Sequence, residues 1–84
     1  MTRYYRVKEG DIFFSQNNGY YYEILGKGDK LFEVRTWCDG EDGRIDAESI
    51  STGHITRQEL KALIKEETGL NYDVEWEENE DDRI

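Results

Sequence analysis

At 84 residues the chain has room for one domain and no second core. Apolar residues make up 36% of it and charged residues 37%, while six Tyr, three Phe and two Trp run against that trend, so the core is expected to be small and aromatic-rich. Twenty acids against 11 bases leave a net charge of −9, which argues against direct nucleic-acid binding through phosphate neutralisation and against docking on an anionic membrane.

Tyr4 to Val7 opens as a strand, and Gly10-Asp11 supplies a turn before Ile12, Phe13 and Phe14. Gln16-Asn17-Asn18-Gly19 is a hairpin signal, because Asn-Gly tolerates the positive φ of tight turns. Tyr20 to Leu25 reads as the next strand, with Tyr20, Tyr22 and Ile24 on one face and Tyr21, Glu23 and Leu25 on the other. Gly26-Lys27-Gly28-Asp29 is a second turn. Leu31 to Trp37 follows, with Phe32, Val34 and Thr36 opposite Leu31, Glu33, Arg35 and Trp37. Three strands joined by short turns predict an antiparallel meander. Cys38 to Gly43 is a polar acidic loop, and Arg44 to Ile50 is the candidate for a fourth strand. The chain has no proline, so its turns rest on Gly, Asn and Asp.

The helix is the most sharply defined element. Thr56 followed by Glu59 is a capping-box pattern, and Ile55 with Leu60 is a candidate hydrophobic staple. Leu60, Leu63 and Ile64 form one stripe, Thr68-Gly69 is the stop, and Leu70 is placed to fold back onto the stripe. About eleven residues of helix are marginal alone, so residues 57–68 must pack on the sheet. Tyr72, Val74 and Trp76 then alternate with Asp73, Glu75 and Glu77, a half-buried strand with an acidic outer face. The predicted class is α+β: a bent antiparallel sheet of four or five strands, with an SH3-like barrel as one form, and one helix packed on it. Residues 1–77 are expected to form the single domain, and 78–84 an acidic, solvated end.

Catalytic and cofactor chemistry find little here. His54 is the single histidine and Cys38 the single cysteine, two ligands short of a structural zinc site. A Cys38–His54 nucleophile and base pair is disfavoured, since Cys38 opens an acidic loop and His54 precedes a helix N-terminus. Asp39-Gly40-Glu41-Asp42-Gly43 does not match the ligand spacing of an EF-hand, and Gly26-Lys27-Gly28 lacks the remaining residues of a dinucleotide or phosphate loop. The expectation is a non-enzyme without metal or cofactor. One cysteine gives no internal disulfide, the first residues form no apolar leader, and no run could span a bilayer, so the cytoplasm is the expected compartment.

Two groups of residues are candidates for binding. Residues 71–84 hold seven acids and one base, net −6. Asp73, Glu75 and Glu77 would stand about 6.7 Å apart in a row, continued by Glu78, Glu80, Asp81 and Asp82; Asp39, Glu41 and Asp42 could add to it from a nearby loop. One DNA strand shows a phosphate about every 3.4 Å along its axis, so such a surface approaches a nucleic-acid decoy. The second group is aromatic: Tyr20, Tyr21 and Tyr22 are consecutive, so at least one must point away from the core, and Trp37 and Trp76 join them as candidate anchors.

In size and charge the chain resembles small acidic proteins of phages and mobile elements that inhibit host nucleases or other nucleic-acid-binding machinery, anti-CRISPR proteins among them. The resemblance implies a stoichiometric inhibitor or modulator occupying a basic, nucleic-acid-binding surface of a partner protein. The alternative is an adaptor or assembly module that docks through an exposed Tyr/Trp face, its acids serving solubility.

Overall fold

The computed structural model describes residues 3–77. Six strands and one helix follow in the order β1 (Tyr4–Val7), β2 (Ile12–Phe14), β3 (Tyr21–Lys27), β4 (Leu31–Trp37), β5 (Ser51–Thr56), α1 (Arg57–Thr68) and β6 (Asp73–Trp76). The fold is α+β. β2, β3, β4 and β5 lie side by side in chain order as one antiparallel sheet, which stays open and does not close into a barrel. β1 and β6 form a separate parallel pair in the register Tyr4↔Asp73 to Val7↔Trp76. That pairing departs from an all-antiparallel expectation. Lys8–Asp11, with Gly10 at φ +96°, turns β1 out of line with β2, and the chain leaving the helix supplies β1 with its neighbour.

The meander appears where the alternation placed it. Phe32 and Val34 of β4 are buried while Leu31, Glu33 and Arg35 are exposed, and Phe13 of β2 is buried between exposed Ile12 and Phe14. Phe13, Ile24, Phe32, Val34 and Ile55 from the sheet meet Leu60, Leu63 and Ile64 from α1, with Val7 and Val74 closing the core from the parallel pair. One face of the four-stranded sheet is thus packed. No α-helix or strand among the described residues covers the other, although a 3-10 turn at Ala47–Ser49 contacts β4.

The helix begins and ends on its own chemistry. Thr56 Oγ1 accepts the Glu59 N–H at 3.1 Å and Glu59 Oε1 accepts the Thr56 N–H at 2.8 Å, the complete capping box. Gly69 at φ +78° ends it, its N–H donating to the Lys65 carbonyl. Ile55 and Leu60, the predicted staple pair, both belong to the buried core.

Four local expectations are corrected. Arg44–Ile50 is not a strand: the Asp46 side chain accepts the Glu48 N–H at 3.1 Å and caps a 3-10 turn over Ala47–Ser49, local bonding that outcompetes a ladder. The fourth strand of the sheet is β5 instead, which puts His54 in an edge strand. β3 starts at Tyr21, because Asn18 Oδ1 takes the Tyr20 N–H within the hairpin loop, and it runs on to Lys27 through a bulge between Ile24 and Gly26. Leu70 is 45% exposed and does not return to the helix; half-buried Tyr72 packs there, edge-on to Tyr5 at 5.7 Å.

Candidate docking face

The uncovered face of the sheet carries a cross-strand row of three aromatic rings. The register sets Phe14 opposite Tyr21 and Tyr21 opposite Trp37. Their rings touch in sequence: Phe14 and Tyr21 at 4.8 Å between centroids, Tyr21 and Trp37 stacked at 5.7 Å with planes 15° apart. Phe14 is 40% exposed and Ile12, on the same face, 51%. In the next row Ile12 opposes Glu23, and Glu23 is paired in turn with the opposed Arg35, Nη1 to Oε1 at 3.0 Å.

The row ends at Trp37 for a reason of register. β5 pairs with β4 only as far as Ser51↔Thr36, so Tyr21 flanks Trp37 on one side and no strand residue opposes it on the other. The loop after β4 borders this end. Tyr21 donates its hydroxyl to Asp39 Oδ2 at 3.2 Å, and the Asp39 carboxylate holds the phenol above its usual range, first by its charge and then through that hydrogen bond. The Cys38 N–H donates to Ser49 Oγ at 2.9 Å, tying the 3-10 turn to the end of β4.

Charge around the molecule follows the same division. Residues 38–49 hold Asp39, Glu41, Asp42, Asp46 and Glu48 against Arg44 alone, a net of −4, whereas residues 1–37 sum to +1 and 50–70 to zero. Asp39, Glu41, Asp46 and Glu48 have no ion-pair partner among the described residues. The acids of β6 stand in a different setting. Arg6 lies 3.0 Å from Glu75 and 3.9 Å from Glu77, and Arg57 lies 3.3 Å from Asp73. The Asp73 carboxyl is held below its usual range, chiefly by the hydrogen bond from the Val74 N–H, with Lys61 and Arg57 adding to it. The row at 73, 75 and 77 is therefore largely compensated by cations of its own chain. It is also remote from the acidic loop. Trp76 lies against Phe32, 6.2 Å away, at the opposite end of β4 from Trp37 and on the opposite face. Five residues of strand span roughly 17 Å.

Of the aromatic candidates, Tyr21 and Trp37 share the open face. Tyr20 is in the hairpin loop, while Tyr22 and Trp76 pack against the core. Phe14 and Ile12 belong to the open face and were missed by sequence reasoning; the alternation of Ile12-Phe13-Phe14 held the signal, because burying Phe13 turns both neighbours outward. Asp46 and Glu48 were missed because the charge of residues 1–70 reads as nearly balanced unless residues 38–49 are summed alone. Glu78, Glu80, Asp81 and Asp82 lie outside the described residues.

His54 faces Glu33 across the ladder, and Cys38 is five residues further on, just past the end of β4, roughly 17 Å at strand spacing. The two side chains do not form a pair. Among the described residues, no three His, Cys, Asp or Glu side chains gather as a metal would require, and no helix is long and apolar enough to cross a membrane. The chain matches no protein-family model, no curated protein and no solved structure.

Proposed function

We propose that this protein is a non-catalytic binding module that docks on another protein through the open face of its four-stranded sheet. Phe14, Tyr21 and Trp37 are the anchors, and the acids of residues 38–49 at the rim select a partner with a basic surface. One observation carries the reading: a contact row of three aromatic rings on a sheet face that no α-helix or strand among the described residues covers. Aromatic side chains supply large contact area at low entropic cost and dominate binding energy at protein interfaces. Unlike charges steer the encounter of the two surfaces.

A second reading, an inhibitor whose acids occupy a nucleic-acid-binding groove, draws on the net −6 of residues 71–84. Asp73, Glu75 and Glu77 support it weakly, since Arg6 and Arg57 answer them. The experiment that separates the two compares proteins captured from lysate by wild type, by Trp37→Ala with Tyr21→Ala, and by Glu75→Gln with Glu77→Gln and residues 78–84 deleted. Loss of the captured protein in the aromatic variant alone supports docking through the face. Loss in the acidic variant alone, with steep weakening by salt, supports the inhibitor.

A further inference from the structure

We infer that what this face receives from its partner is an arginine side chain, its guanidinium stacked on Trp37 and paired with Asp39. The inference rests on the docking reading above and adds the chemistry of the contact. Three features lie at this end of the aromatic row. Trp37 is stacked by Tyr21 on the β3 side, and on the other side the β4–β5 ladder stops one residue short of it. Asp39 is fixed at that end of the row by the Tyr21 hydroxyl, and a carboxylate that accepts one hydrogen bond keeps other acceptor positions free. Asp39 also lacks a cation of its own chain among the described residues, unlike Glu23, Asp73, Glu75 and Glu77, each of which has an arginine within 4 Å.

A planar cation satisfies both halves of this site together. Guanidinium stacks on an indole face and presents a fork of donors to a carboxylate, whereas an ammonium is a strongly hydrated point charge that does neither as well. The rim makes the choice of sign: residues 38–49 carry net −4, so a neutral or acidic segment would meet repulsion or an unpaired carboxylate.

The test uses two synthetic peptides of equal length and net charge, one carrying arginine and the other lysine, titrated into the full chain while amide and indole NMR signals are followed. The indole N–H of Trp37, assigned by its loss in Trp37→Phe, and the amides of Tyr21 and Asp39 are expected to shift with the arginine peptide. That peptide should bind roughly 3- to 10-fold more tightly than the lysine peptide. Asp39→Asn should remove most of the difference while leaving the rest of the spectrum in place. Equal affinities, no binding of either peptide, or shifts confined to β6 overturn the assignment. If Trp37→Ala with Tyr21→Ala abolishes capture of the partner while the two peptides behave alike, the docking face stands and the arginine falls. If it leaves capture intact, both fall.

Discussion

Tyr21 and Trp37 stack across the β3–β4 ladder on the side of the sheet away from the core, with ring planes 15° apart. A stacked pair of this kind contributes about 0.5–1.5 kcal/mol beyond the area it covers. A double-mutant cycle on Tyr21→Ala and Trp37→Ala, followed by thermal unfolding, should return a coupling in that range, with each single variant still folded. For a domain of this size each 1 kcal/mol moves the midpoint by roughly 4–8 °C. Unfolding of either single variant at 25 °C would place the pair in the core and remove it as a docking surface.

The opposite face should behave differently. Phe13 is 2% exposed and packs beneath the tilted ring of Tyr5 at 6.0 Å, and Leu60 and Ile64 are fully buried. Phe13→Ala should cost about 3–5 kcal/mol and Leu60→Ala about 2–5 kcal/mol, as truncations that leave a cavity do. A chain of this size buries only about 60% of its unfolded surface, so Phe13→Ala is expected to be largely unfolded by circular dichroism. Phe14→Ala, one residue on, should melt within a few degrees of wild type. The contrast between adjacent phenylalanines tests the assignment of the two faces directly.

Much of this was legible from residue spacing, and the failures have physical causes. Period-two alternation in Leu31–Trp37 and period-3.6 spacing in Leu60, Leu63 and Ile64 survive folding because each pattern commits a whole face to the core. The position of β5 was hidden, since Ser-Thr-Gly-His-Ile-Thr has one buried residue and little alternation, while Asp46 and Ser49 satisfy the preceding backbone locally. The parallel partnership of β1 and β6 joins residues about seventy positions apart, and no local signal encodes it. For the site, Tyr21 and Trp37 were in view, but their contact is a fact of register. The compensation of Asp73, Glu75 and Glu77 by Arg57 and Arg6 is likewise visible only once distant segments meet.

The caps of α1 give a local stability test. Thr56→Ala removes the acceptor for the Glu59 N–H and should cost about 0.5–2 kcal/mol, with Thr56→Ser restoring most of it. Gly69→Ala at φ +78° should cost on the order of 1 kcal/mol, because a Cβ is strained in the left-handed region even with open space around it. Urea unfolding midpoints of the three variants check both values. No change for Gly69→Ala would mean that the helix ends differently in solution.

Titration closes the link between the acidic loop and the aromatic row. Asp39 raises the Tyr21 phenol, so the folded state holds that proton more tightly than the unfolded chain does. The contribution to stability is therefore fully present below the ordinary tyrosine value near 10 and is lost as pH rises through the raised one. Asp73 runs the other way: its carboxyl is lowered, so its contribution is present above the ordinary carboxylate value and is lost as pH falls through the lowered one. Ultraviolet titration of the tyrosinates should show two late phenols in wild type, Tyr5 raised chiefly by burial and Tyr21 by Asp39, of which only the Tyr21 phenol moves to lower pH in Asp39→Asn. Asp73→Asn should leave that phenol unmoved and weaken the acid dependence of unfolding instead. A tyrosine titration unchanged in Asp39→Asn would mean that the Tyr21–Asp39 hydrogen bond does not persist in solution, and the carboxylate would then lose its fixed place beside Trp37.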